Sequence, residues 1–591
     1  MIVSRRLLTA ACGFAALFAT ACLRDTTATA TEPTAPVPIT GFTAVTVNSS
    51  SLTYTFTSVS GDGIYLVERA EGAAGAFVTD STISAPIFAT VITITRTRLK
   101  AATTYRYRVT SLRGTVASAP SAETLVTTLA LGNASADVSN DITANRTFFA
   151  DTVYTLKGFI HVANGATLTI QPGTRILGDY ATLGSSLWVL RGAKIQAVGT
   201  ADLPIVFTSS RAAGQRQPGD WGGLLVVGNA PDNRSGTVTV EGSGASGTAF
   251  TSGTNYAVTY TGGTIASDNS GTLLYVRVEF AGYSTLVDQG FNAFTFAAVG
   301  SGTRVSYAEA MAGLNDSYKF FGGGFDLDHI VAFESADDMF DMTEGFNGRL
   351  QYLIGFNSVP LVGRAGAGFA SADVQGIESD GCSGSGCDQG FASSPYTIPL
   401  VANFTLIGCG STTCSGAGGG YGLMLRRGTG GLFVNGLLAR WARGGISLRD
   451  SLTYVRAGQT IVPNITSSDL LISNSYFVET PSVFQPATTA PATPGQYALD
   501  LPLNRLSLLP TTITTSSLFA LLPATGVTPA SIASFDFTPA TNVSLSSGAL
   551  VTFAGRLAAK GGSVVTGTTY VGAVAPGGTK WWQGWSTYLR N

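Results

Sequence analysis

Between Leu273 and Phe356 one short pattern returns in four copies, and its spacing leaves the chain few folds to choose from. The segments Leu274–Phe280, Val305–Ala310, Leu327–Phe333 and Leu350–Phe356 can be laid under one another. Tyr307 to His329 is 22 positions, and His329 to Tyr352 is 23. Each copy is one apolar strand followed by turns rich in Gly, Asn and Asp. A unit this short cannot bury an apolar face by itself, so the copies must stack, as the coils of a β-solenoid do.

The bulk chemistry agrees. Charged residues make up 12% of the chain and hydrophobic ones 45%, with 72 glycines. An ordinary globular domain carries about twice that charge. The net charge of −2 creates no basic field, which sets nucleic acid aside as a partner. Beyond residue 22 there is no run of about 18 apolar residues, so the mature chain is not a helical membrane protein. The histidines, His161 and His329, are far apart and offer little for histidine metal sites or Ser-His-Asp triads. A length of 591 residues predicts two or more units.

Residues 1–21 read as a bacterial export signal, with Arg5 and Arg6 as its positive start and Leu7–Phe18 as its apolar stretch. Ala19-Thr20-Ala21-Cys22 resembles a lipobox, which implies cleavage before Cys22 and a lipid on its thiol. Ordinary cleavage after Ala21 is the alternative. Several acyl chains on Cys22 would hold firmly to a bilayer, at roughly 0.8 kcal/mol per buried methylene. Residues 22–38, rich in Thr, Ala and Pro, then form a tether. Leu23 is not the aspartate of inner-membrane retention, so the outer membrane and cell surface are expected, with periplasm or secretion as alternatives.

Residues 39–128 alternate with period two in short runs such as Leu52-Tyr54-Phe56, Tyr65-Val67 and Tyr105-Tyr107-Val109, which predicts a β-sandwich. Leu99–Val109 resembles the E–F corner of a fibronectin type III domain, which implies that the Tyr105 hydroxyl closes that corner. From 131 to 591, short strands such as Phe159–Val162, Leu187–Leu190 and Pro204–Ser209 alternate with Gly or Pro-Gly corners. They read as the sides of coils stacked about 4.8 Å apart. Asn435 and Asn474 are candidate turn residues. The fold class is therefore all-β, a fibronectin type III-like sandwich followed by a right-handed parallel β-helix. Gly165–Ile176, Gly192–Ser209, Pro218–Gly223, Asp337–Asp341, Tyr570–Ala573 and Trp581–Trp585 are similar to a family of exported bacterial β-helix proteins of the pectin-lyase-like type. That resemblance spans about residues 131–591 and implies the fold, a lipoprotein or surface location, and no established activity. The Trp581-Trp582 pair stands where a single tryptophan is expected. The tail Lys580–Asn591 is expected to cap the open end of the solenoid.

Aligning Tyr307 with His329 sets Asn315-Asp316 on Asp337-Asp338. Asp316 then stacks over Asp338, with Asp337, Asp341 and Glu334 close by. Carboxylates at strand spacing repel unless a cation or a proton intervenes. They read as turn residues held by Asx hydrogen bonds, as a Ca²⁺ site of Asp316, Asp337, Asp338 and Asp341, or as an acid/base set of Asp316, Asp337 and Asp338 like that of the β-helix polygalacturonases and pectate lyases. The His-Gly and Arg-x-Lys elements of the polygalacturonase pattern are missing nearby, which weighs against catalysis. His329 reads as a packed or surface histidine.

Cys382 and Cys387, like Cys409 and Cys414, are separated by four residues in Gly/Ser loops of an exported chain. Two local disulfides are expected, with pairing between coils or a four-thiolate zinc site as alternatives. Arg426, Arg427, Arg440, Arg443 and Arg449, with Trp441 and Tyr421, form the densest basic-aromatic cluster. On one face they would give an anionic glycan guanidinium forks and stacking rings; otherwise they solvate an apolar surface. Gly416–Gly422 lacks the Lys-Ser/Thr of a phosphate loop. The expected function is non-catalytic binding or adhesion to a polysaccharide, since a solenoid offers a repeating polymer a long regular face. A polysaccharide lyase or hydrolase using the stacked aspartates, and a purely structural surface element, are the alternatives. No cofactor is expected, unless Ca²⁺ fills the aspartate site.

Overall fold

The computed structural model describes residues 34–588 except 60, 62, 85–89, 98, 245–256, 287–288, 369, 457–467, 486–504, 541–544 and 546. The expected signal sequence, Cys22 and the tether as far as residue 33 lie outside the described residues. The chain divides into two compact units near Thr127. Toward the N-terminus, Thr43–Thr46, Leu52–Thr57 and Val91–Arg96 make one sheet. Val78–Ser84, Ile64–Glu71, Thr104–Arg113 and two shorter strands make another. Period-two alternation sends Tyr54, Phe56, Tyr65, Val67, Tyr105, Tyr107 and Val109 inward, all nearly or wholly buried. This is a β-sandwich.

The second unit is a parallel β-helix. Nine short strands, from Phe159–Val162 to Gly444–Leu448, form a narrow sheet, and sixteen strands form a wide one. Strands pair in parallel with those of the next coil, as Tyr318–Phe321 does with Phe340–Thr343 and Asp326–Ser335 with Arg349–Phe356. Inward side chains become ladders. Phe294, Tyr318 and Phe340 stack with centroids 5.0 and 5.3 Å apart, in one core with Leu273, Val305, Leu327 and Leu350.

The residues that align the sequence repeat are the places where the long strands bend. Tyr275, Tyr307, His329 and Tyr352 have φ of 51°, 52°, 56° and 63°. That left-handed backbone is uncommon outside glycine. Each residue is skipped by the strand pairing: Ser306 pairs with Asp328 and Ala308 with Ile330, leaving Tyr307 and His329 between them. One left-handed residue thus folds each long strand into two segments. The rings stack along the axis at 4.5, 4.5 and 4.8 Å, close to the coil spacing of about 4.8 Å. Farther on, the column passes to Asn403, Asn435 and Asn474, with φ of 52°, 58° and 52°. Asparagine tolerates this conformation better than most residues, and the turn roles expected for Asn435 and Asn474 are realised.

Outward from the second segments, Met311, Phe333, Phe356, Ile407 and Val478 form an apolar stripe that water would not tolerate. Leu518, Phe535, Phe537, Trp582, Trp585 and Tyr588 from the C-terminal region join it in a second core. The tail expected to cap the solenoid end therefore runs along its flank. Trp581 meets the His329 ring edge-on at 5.0 Å, and Trp585 meets Tyr307 at 5.9 Å and Tyr275 at 5.8 Å. The Thr587 N–H donates to Glu309 at 3.0 Å, and the Tyr588 hydroxyl to Glu334 at 2.5 Å. The apolar stripe accounts for this placement. It also accounts for the paired tryptophans: Trp582 is fully buried, and Trp581 rests outside it on His329.

Candidate functional site

Strands of the narrow sheet turn alternate side chains outward. Register brings Lys319, Asp341 and Glu378 into one outward column and Asp380 and Arg426 into the next. Asp316 and Asp338, in the turns just before these strands, stand beside the first column. Carboxylate oxygens of Asp316, Asp338 and Asp341 lie within 4.8 Å of one another, and all three residues are buried. The expected stack of Asp316 over Asp338 is present.

Its oxygens are heavily committed. Asn292 Oδ1 accepts the Asp316 N–H at 3.2 Å, Asp316 Oδ1 the Asp338 N–H at 3.0 Å, Asp338 Oδ1 the Gln375 N–H at 2.7 Å, and Gln375 Oε1 the Tyr421 N–H at 3.0 Å. Four side chains thus tie successive coils together at one turn, satisfying backbone donors that would otherwise be buried unpaired. Lys319 Nζ sits 3.3 Å from Asp316 Oδ2 and bonds to Asp341. Arg426 pairs with Asp380 at 2.8 Å and with Glu378, and Arg427 reaches Asp380 at 2.5 Å. Asp341 Oδ1 is buried without a hydrogen-bond partner among the described residues.

Burial, opposed by Lys319 and reinforced by Asp341 and Glu241, pushes the Asp316 carboxyl up to about 7. Burial and neighbouring carboxylates hold Asp337, Asp338 and Glu378 well above the usual carboxylate range. Burial alone would lower Lys319, but Asp341 and Asp316 keep it charged. A carboxyl raised in this way binds its proton more tightly in the folded than in the unfolded chain. Its contribution is fully present below the unfolded value of 3.8 and is lost as pH rises through about 7. The thermal midpoint, followed by calorimetry, should therefore fall between about pH 4 and pH 7. Asp316→Asn, which keeps the Oδ1 acceptor, should flatten that slope; an unchanged slope would show that Asp316 titrates normally.

Among the described residues, one face of the β-helix is left open. The first segments of the wide-sheet strands set Thr169, Gln196, Thr272, Arg304, Asp326 and Arg349 in register along the axis. All six are at least partly exposed.

A family profile described as a pectate-lyase-like β-helix domain matches residues 140–497, more than half of the chain. The chain belongs to the pectate-lyase-like β-helix family. No curated protein matches it. Among solved structures, an Fn3-like protein from Clostridium thermocellum is 26% identical, over 15% of this chain and 88% of that one, with a TM-score of 0.13. The sensor domain of the anti-sigma factor RsgI4 from Pseudobacteroides cellulosolvens is 21% identical, over 16% of this chain and 90% of that one, with a TM-score of 0.12.

The pectate-lyase-like β-helix scatters the basic-aromatic cluster. Trp441 is 1% exposed and donates its indole N–H to Leu406 O at 3.1 Å, so its faces serve the core and cannot stack on a sugar. Arg440 is buried against Glu479 at 3.3 Å. Arg426 and Arg427 are held by the acids described above. Arg443 donates to Ala417 O at 2.7 Å, and Arg449 lies 5.3 Å over the Tyr421 ring. The coil turns a corner between Ala439 and Gly444, which sends neighbours in sequence to different faces. Of the two acids expected beside the stack, Glu334 is taken by Ser358 and Tyr588. Asp337 bonds to Ser371 but stays close enough to Asp316 and Asp341 to feel their charges. Cys382–Cys387 and Cys409–Cys414 are disulfides within their own loops, so none of these four is a thiolate ligand for zinc.

Lys319 is the functional residue most plainly missed by the motifs, although it lies 22 positions before Asp341, the same interval that sets Asp316 on Asp338. Glu378 follows Asp341 by 37 positions, so a fixed repeat does not find it.

Proposed function

We propose that this chain is an exported, lipid-anchored cell-surface protein that binds a polysaccharide along its β-helix without cleaving it. The observation that carries this reading is the state of the acidic cluster. Asp316 and Asp338 are buried acceptors for the backbone of the next coil, and Lys319 already supplies positive charge to Asp316 and Asp341. A general acid or base must reach the reacting group within hydrogen-bond distance, and these carboxyls face their own protein. On this reading Lys319 takes the place that calcium would fill. The open face supplies the binding surface: its polar groups repeat once per coil, about every 4.8 Å along the axis. Membership in a family described as pectate-lyase-like favours a polysaccharide as the polymer. Two disulfides suit an oxidising compartment, and the lipobox-like segment ending at Cys22 supports the anchor.

Affinity electrophoresis tests the binding. In gels containing polygalacturonate, dextran sulfate or neutral dextran, with and without calcium, the protein should be retarded by at least one polymer. Equal mobility in every gel would leave only a structural role.

A further inference from the structure

On the wide sheet, on strands that alternate along the chain with those carrying the acidic cluster, a groove of about 450 Å³ opens beside the left-handed column. Arg304, Asp326, Asp328, His329, Gln351 and Tyr352 line it, and Val564 and Val565 close one side. Its charges are unequally committed. Both Asp326 oxygens are held by Arg349, at 2.7 and 2.8 Å. Asp328 accepts from Ser306 Oγ at 2.6 Å and pairs with His329 Nδ1 at 2.7 Å. Burial alone would raise Asp328, but the hydrogen bonds from His329 and Ser306 bring it below the usual carboxylate range, so it stays ionised.

Arg304 is held far less. Its side chain is 70% exposed, and Asp328, its ion-pair partner, is 3.8 Å away. Its Nε reaches Ser306 Oγ at 3.3 Å, which leaves most of the guanidinium fork open. Ionised Asp328 accepts only, so the hydrogen of its contact with His329 is on Nδ1, and Nε2 is left for other partners. The acids of this groove are thus internally matched, while a cationic fork remains available. A guanidinium in that state binds planar or tetrahedral oxyanions through paired hydrogen bonds.

We infer that this groove is a subsite for an anionic group, a carboxylate or a sulfate, carried on the bound polymer, with Arg304 as its principal contact. The inference rests on the polymer-binding reading and specifies where and through what chemistry the polymer is held. Tyr352 and Gln351 lie one coil beyond Asp328 and His329 and offer flanking contacts to the next part of the ligand.

Arg304→Glu tests it, since so exposed a side chain can be reversed in charge without disturbing the core. Lys194→Glu, on an outward position of the same sheet but outside the groove, is the control. Both variants should keep the wild-type thermal midpoint. In affinity electrophoresis Arg304→Glu should lose about tenfold or more in affinity for polygalacturonate, dextran sulfate or both, with Lys194→Glu close to wild type. Loss with polygalacturonate alone identifies a carboxylate, and loss with dextran sulfate alone a sulfate. If Arg304→Glu binds the acidic polymers like wild type, the groove is overturned while polymer binding stands. If neutral dextran retards the wild type as strongly as the acidic polymers do, the anionic class is overturned. If no polymer retards the wild type, both readings fall together.

Discussion

Replacing Lys319 with methionine should destabilise the β-helix by about 3–5 kcal/mol, because it removes the cation from a buried set of carboxylates. Methionine keeps a stem of similar length, so the packing around Phe321 and Asp341 changes little and the lost charge dominates. Asp316 and Asp341 would then face each other uncompensated, which makes charging Asp316 still more costly. The loss should therefore be large at pH 8 and smaller at pH 5, and adding Asp341→Asn should recover part of it. Denaturant midpoints at the two pH values read this directly. A loss below about 1 kcal/mol at pH 8, the range of a surface ion pair, would show that the cluster does not depend on Lys319. Calcium should raise the midpoint of the variant and leave that of the wild type unchanged.

Trp582→Ala should cost about as much, 3–5 kcal/mol, by leaving a cavity in the second core. Trp582 is fully buried and meets Phe537 edge-on at 5.5 Å. Its loss loosens the tail that shields Met311, Phe333 and Phe356, so the variant should also bind a hydrophobic dye before it unfolds. Trp581→Ala should cost much less, since that ring rests on the outside of His329. Thermal midpoints of the two variants provide the comparison. Equal losses would mean that the pair acts as a surface patch and that the flank is not a true core.

These two sites also show what the residues disclosed and what they withheld. The repeat through Tyr275, Tyr307, His329 and Tyr352 is legible because each strand must pair with the next, which fixes the interval between equivalent residues. That the same residues bend the strands is not legible, since tyrosine and histidine carry no signature of left-handed backbone. Residue type betrays the column only where it reaches Asn403, Asn435 and Asn474. Asp316 over Asp338 follows from the 22-residue interval, as Lys319 beside Asp341 does. The partners beyond them, Gln375 and Glu378, are hidden because the next coil is longer. Trp441 and its arginines mislead for a different reason: closeness in sequence does not tell which side of a coil each side chain faces. The tail misleads because its aromatic residues suit an open end and an apolar flank equally well, and only the stacked strands reveal the stripe at Phe333 and Phe356.

The central claim is that the acidic cluster holds coils together while the polymer is bound elsewhere and left intact. The most direct measurement is product release from polygalacturonate and a neutral glucan, read as new reducing ends and unsaturated ends over prolonged incubation. The wild type should release none, under conditions in which the polymer is retained. Product release that disappears in Asp338→Asn, in a variant that keeps the wild-type thermal midpoint, would contradict it.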